Sequence, residues 1–137
     1  MTGMKTKIAV VVRDDLATWQ RLNVTAFLVS GIAARFPETV GEPYEDASGQ
    51  EYLPMFGQPV LVYQADAEAL RDTHRKALAR ELAVAVYTEE LFTTDNDVDN
   101  RAAVRAVPTE KLGLVGIAVH GGRNAVDKAL KGLSLHP

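Results

Sequence analysis

An α/β fold, a three-layer α/β/α sandwich around a mixed, mostly parallel four-stranded sheet, is predicted by three observations. Short β-branched runs alternate with longer amphipathic segments, the first run is apolar without a break, and the 137 residues suffice for one core. We expect a single domain over residues 1–137, with an inserted surface loop at about 41–58.

Ile8 to Val12 ends in Arg13, Asp14 and Asp15 and predicts a central strand buried on both faces. From Trp19 the apolar residues Trp19, Leu22, Ala26, Val29, Ala33 and Phe36 recur at helical spacing, and Phe27, Leu28 and Ile32 widen the stripe. A long helix follows, closed by Pro37. Gly41 to Gln58 is rich in turn formers, with a hairpin expected about Ser48-Gly49, and its Tyr44, Tyr52, Met55 and Phe56 either fold back on the body, the favoured reading, or form a patch for a partner. Pro59 to Gln64 predicts a second strand. Asp66 then caps a helix to about Leu82, its apolar positions Leu70, Ala77 and Leu78. Ala83 to Tyr87 is a third strand, the polar stretch from Thr88 to Val107 holds a short helix around Arg101 to Val104, and Leu112 to Val119 is a fourth strand. His120, Gly121 and Gly122 then turn the chain into a last helix, capped by Asn124 with Asp127 three residues on, whose apolar face is Val126, Ala129, Leu130 and Leu133.

Composition removes several classes of function. Apolar residues make up 47% and charged ones 24%, so neither a disordered nor a membrane-embedded chain is expected. The absence of cysteine excludes disulfides, thiolate metal sites and a cysteine nucleophile, and suits a reducing compartment. The stretch from Val24 to Ala34 falls short of the roughly 20 residues that span a bilayer, and nothing before Lys7 has the form of a signal peptide. A cytoplasmic protein is expected. A net charge of −3 disfavours tRNA as a ligand, although a local basic groove is compatible with an acidic whole.

Four features in order resemble the type II peptidyl-tRNA hydrolases: the start from Lys7 to Leu16, the long helix after it, the segment from Val86 to Thr94, and Leu114 to Leu135. With its extra loop and its Asn23-Val24-Thr25-Ala26 segment, the chain resembles more closely an allied bacterial family, domain of unknown function 2000. The resemblance implies a mixed four-stranded sheet flanked by helices, frequently in a homodimer, with a site where the first strand meets the long helix. Where the hydrolases carry a glycine- and lysine-rich turn, this chain reads Ala17-Thr18-Trp19-Gln20-Arg21-Leu22, so Gln20 or Arg21 stands in for the lysine. The functional aspartate of the hydrolases falls on Glu89 and their threonine on Thr93.

The residues themselves suggest three sites. Arg13, Asp14, Asp15 and Asn23 either surround a ligand at the strand end, or serve the helix, one aspartate capping it and the other solvated. An amide such as Asn23 within an apolar helix needs a specific partner. His120-Gly121-Gly122 with Arg123 either cradles an anion or makes a plain turn. Asp95, Asp97 and Asp99 alternate like the opening of a calcium loop, but Asn100 and Ala106 stand where its glycine and glutamate belong, which favours a solvated acidic loop. His74 and His136 are expected at the surface, and no zinc-ligand spacing is present. No metal and no cofactor are expected, and Ser30 lacks a nucleophile-elbow pattern.

Two functional classes follow. One is a domain that binds a small ligand or a protein partner without the full hydrolase site. The other is a hydrolase of an amide or ester in a small or peptidyl substrate, peptidyl-tRNA included. There Glu89 and Thr93 activate water, and Asn23 and Arg21 hold the oxyanion.

Overall fold

The computed structural model describes residues 5–137. Strand β1 (Thr6–Arg13) occupies the middle of a five-stranded sheet, as its unbroken apolar run requires, and Ile8 to Val12 are buried on both faces. Its neighbours are β4 (Val60–Ala65), which runs parallel to it, and β6 (Leu114–Gly122), which runs antiparallel. Strand β5 (Ala83–Thr88) pairs antiparallel with β6 at one edge, and the short β7 (Ser134–Leu135) pairs antiparallel with β4 at the other.

The sheet is therefore mostly antiparallel, not mostly parallel, and has five strands where four are expected. The reason lies after β5. The chain leaves that strand at Thr88 and enters β6 at Leu114, its direct partner across the ladder, so the long connection returns to the end it left. A return at the same end reverses the strand, whereas a parallel step must cross a face of the sheet. Strand β7 is too short to carry a hydrophobic period.

Helix α1 (Thr18–Arg35) covers one face, packing Val24, Leu28 and Ile32 on Ile8, Val10, Val12, Val115 and Ala118. Full burial of each such side chain contributes about 1.5–3 kcal/mol. The buried stripe is not the one read from the sequence: Trp19 and Leu22 are 62% and 68% exposed. With apolar residues almost all round, the spacing alone does not reveal which side faces the sheet. Gly116 admits the helix, because a Cβ there would lie 2.7 Å from Val24 Cγ1 and 3.2 Å from the Val11 carbonyl. Phe36 ends α1 before Pro37, as expected.

Helices α2 (Ala67–Ala79) and α4 (Arg123–Ala129) cover the opposite face, where Leu70, Ala77, Val126, Ala129 and Leu130 meet Ala9, Val11, Ile117 and Val119. Two helical layers thus enclose the sheet. Asp66 caps α2, its carboxylate accepting from the Ala69 amide at 2.8 Å. His74 is buried, not exposed, because it lies on the inner side of α2 beside Thr73 and Ala77. Gly122, not Asn124, occupies the N-cap of α4, and Asp127 instead accepts from Lys7 Nζ at 2.5 Å.

The 41–58 segment forms the expected hairpin, β2 (Tyr44–Glu45) and β3 (Glu51–Tyr52), with Gly49 at φ +83° in its turn. Tyr44, Tyr52 and Met55 remain exposed, against expectation; Phe56 alone packs on the core. The short helix expected around Arg101 to Val104 is present as the nine-residue α3 (Asp97–Arg105), which begins earlier, capped by Asn96, whose side chain accepts from the Asp99 amide at 2.8 Å. Among the described residues no helix is long and apolar enough to cross a membrane.

Candidate functional site

The end of β1 carries a network of ion pairs. Arg13 donates through Nε to Asp15 at 2.6 Å and through Nη1 to Glu89 at 2.9 Å and to the Leu114 carbonyl at 3.3 Å. The guanidinium holds the Asp15 carboxyl below the usual carboxylate range. Arg13, Asp15 and Glu89 are thus brought together, but as a satisfied ion-pair cluster that ties the ends of β1, β5 and β6 together.

Neither Asp14 nor Asp15 caps α1. Ala17 is the N-cap, and the side-chain Oε1 of Gln20 accepts from the Ala17 amide at 3.0 Å. Gln20 thereby serves the helix start. Arg21 points toward the end of the chain, donating to the carbonyls of Leu16 at 3.0 Å and Asp14 at 2.8 Å, with His136 Nε2 at 2.9 Å. Thr93 bonds the Glu90 carbonyl at 2.9 Å. Asn23, Arg21, Glu89 and Thr93 therefore do not converge on one point.

His120, Gly121 and Gly122 form no anion cradle. They are residues of β6, paired with Ile8, Lys7 and Thr6. The turn expected at these residues is displaced, because the β-ladder extends through both glycines. His120 is buried with the Phe36 ring tilted against it at a centroid distance of 4.3 Å, its Nε2 has no partner among the described residues, and burial lowers its pKa while the charge of Glu38 opposes that shift.

Asn23 opens instead into a cleft of about 410 Å³ between α1, the end of β5 and α3. Trp19, Phe27, Tyr87, Leu91 and Phe92 line it together with Thr94, Asp95, Asn96, Asp97 and Asn100. Tyr87, 4% exposed, has its hydroxyl pKa raised by burial, with the side-chain amide of Asn23 opposing that shift. Thr94 Oγ bonds the Asn100 side-chain oxygen, which joins the turn after β5 to α3. The sequence marked Asn23, as an amide in an apolar helix. It left Tyr87, Phe92, Thr94 and Asn100 unmarked, because the 3-10 turn from Glu89 to Phe92 and the start of α3 bring them together only in space. Asp95, Asp97 and Asp99 straddle the start of α3 rather than circling an ion, and no cluster of acidic and histidine side chains among the described residues is placed to hold a metal.

The protein is thus a mixed α/β domain with one helix over one face of a five-stranded sheet and an aromatic-walled cleft at that helix's N-terminal half. It belongs to the family described as protein of unknown function (DUF2000), whose model matches residues 6–137. A solved structure, titled as a protein of unknown function from Agrobacterium tumefaciens strain C58, is similar to it at 46% identity and a TM-score of 0.95, covering 98% of this chain and 100% of that one. No curated protein matches it significantly.

Proposed function

We propose that the chain is a small-ligand-binding domain and that the cleft between α1 and α3 is its site. The observation that carries this is the convergence of Asn23, Thr94 and Asn100 on a cavity walled by aromatic rings, the usual make-up of a small-molecule site: apolar walls with a few placed polar groups. The hydrolase-like residues after β5 support binding over catalysis, since the Glu89 carboxylate is engaged by Arg13 and the Thr93 hydroxyl by the Glu90 carbonyl. The order of motifs keeps a type II peptidyl-tRNA hydrolase ancestry within this proposal. tRNA is a poor occupant, because the cleft lining contains no lysine or arginine to neutralise phosphates.

A ligand bound only by the native state raises the melting temperature. Thermal shift against nucleotides, aminoacyl and peptidyl esters, amines and tRNA is expected to give a stabilising ligand whose effect disappears in Asn23→Ala. A shift that persists unchanged in that variant would move the site elsewhere.

A second reading, hydrolysis of an amide or ester by water activated at Glu89, is favoured by one feature: that carboxylate remains 59% exposed beside a cation. Unchanged hydrolytic turnover in both Asn23→Ala and Glu89→Gln would end it. The homodimer implied by the resemblance belongs to the same proposal, with the exposed Leu22 side of α1 as its face. Sedimentation equilibrium tests it, and a monomer at all concentrations would remove it.

A further inference from the structure

The lining of the cleft specifies the charge of its occupant. Trp19 meets Phe92 edge-on at 6.0 Å, Phe92 meets Tyr87 at 5.2 Å, and Tyr87 meets Phe27 edge-on at 5.8 Å. These four rings form a continuous wall, and the faces of aromatic rings carry negative potential. Asp95 and Asp97 also line the cleft, and among the described residues no lysine, arginine or histidine does. Asp97 pairs with Arg101, one turn along α3, whereas among the described residues the only side-chain bond to Asp95 is from the neutral Asn96 amide at 3.0 Å. Arg101 offsets Asp97, and the N-terminal end of α3 offsets about half a unit charge, which leaves the Asp95 carboxylate only partly compensated. A lining of aromatic rings and carboxylates without a cation of its own therefore favours a cationic occupant over an anionic one.

We infer that the cleft binds a small organic cation, an amine whose apolar body packs among Trp19, Phe27, Tyr87 and Phe92 while its ammonium group faces Asp95 and Asp97. This rests on the reading of the cleft as a ligand site. The volume of about 410 Å³ suits such a molecule. Tyr87 and Asn23 at the inner end add hydrogen-bond donors for an oxygen on the same ligand.

Trp19 is the sole tryptophan and lines the cleft, so its fluorescence reports occupancy directly. Three probes of one shape separate charge from shape: 2-phenylethylamine, 2-phenylethanol and 3-phenylpropionate, titrated at neutral pH. The amine is expected to bind about tenfold more tightly than the alcohol, the scale of one cation–π contact with an exposed ion pair, and the acid more weakly than either. The Asp95→Asn/Asp97→Asn double variant should remove the advantage of the amine and leave the alcohol unchanged, which also shows that the variant is folded. Equal or better binding of the alcohol or the acid overturns the cation assignment while leaving the cleft a ligand site. No response to any of the three, at concentrations up to solubility, overturns both.

Discussion

Gly116 is the residue at which α1 comes closest to the sheet. A methyl group there would overlap Val24 and crowd Leu28, both fully packed, so neither neighbour has room to yield. Gly116→Ala is expected to cost about 1–3 kcal/mol, the usual range for overpacking a core, measured by urea denaturation. Unchanged stability would mean that α1 shifts easily. His74 and His120 report on pH in the same way. Burial lowers both pKa values from the usual 6.5, with Glu38 partly opposing the shift at His120. The unfolded chain therefore takes up more protons below about pH 6.5, so the stability these groups confer is present above that pH and lost as the pH falls toward the lowered native values. A melting temperature that drops between about pH 7 and pH 5, with a smaller drop in a variant carrying His74→Leu and His120→Leu, is the expected result; parallel profiles would contradict it. Only half of this was legible in the residues. His120 stood out before the glycines, but His74, flanked by Asp72 and Arg75, reads as part of a charged face.

Among the elements, those whose pattern is local were legible and those set by packing were not. β1 follows from its unbroken apolar run, and α2 from the capping aspartate at its start. The inner face of α1 does not follow, because Trp19 and Leu22 are as apolar as the buried Leu28 and Ile32; the choice is made by the position of Gly116 and Val115 beneath the helix. The aromatic residues left outside are those that wall the cleft. The β2–β3 hairpin is exposed on both strands; Val40 and Phe56 bridge each other at its base, and Phe56 packs on the core. Replacing residues 44–52 by a short glycine-serine link is therefore expected to lower the melting temperature by only a few degrees, the scale of about 1 kcal/mol in a chain of this size, because little apolar surface is lost. Loss of cooperative unfolding would show that the hairpin is part of the core.

Across the whole molecule, the sheet and its two helical layers place two different polar sites near one end of the sheet. One, around Arg13, is internally satisfied and holds strand ends together; the other, around Asn23, is open and lined by groups from α1, β5, the turn after it and α3. The sequence named residues of both and joined them into one, since Glu89 and Asn23 each stand beside the right strand, and only the side-chain directions separate them. The central claim is that the open cleft is the working site. Backbone amide chemical shifts of the labelled protein, recorded with and without a stabilising ligand from the thermal screen, test it most directly. Perturbations concentrated at Asn23, Tyr87, Thr94 and Asn100 are predicted; perturbations centred on Arg13 and Glu89, or on the hairpin, would contradict it.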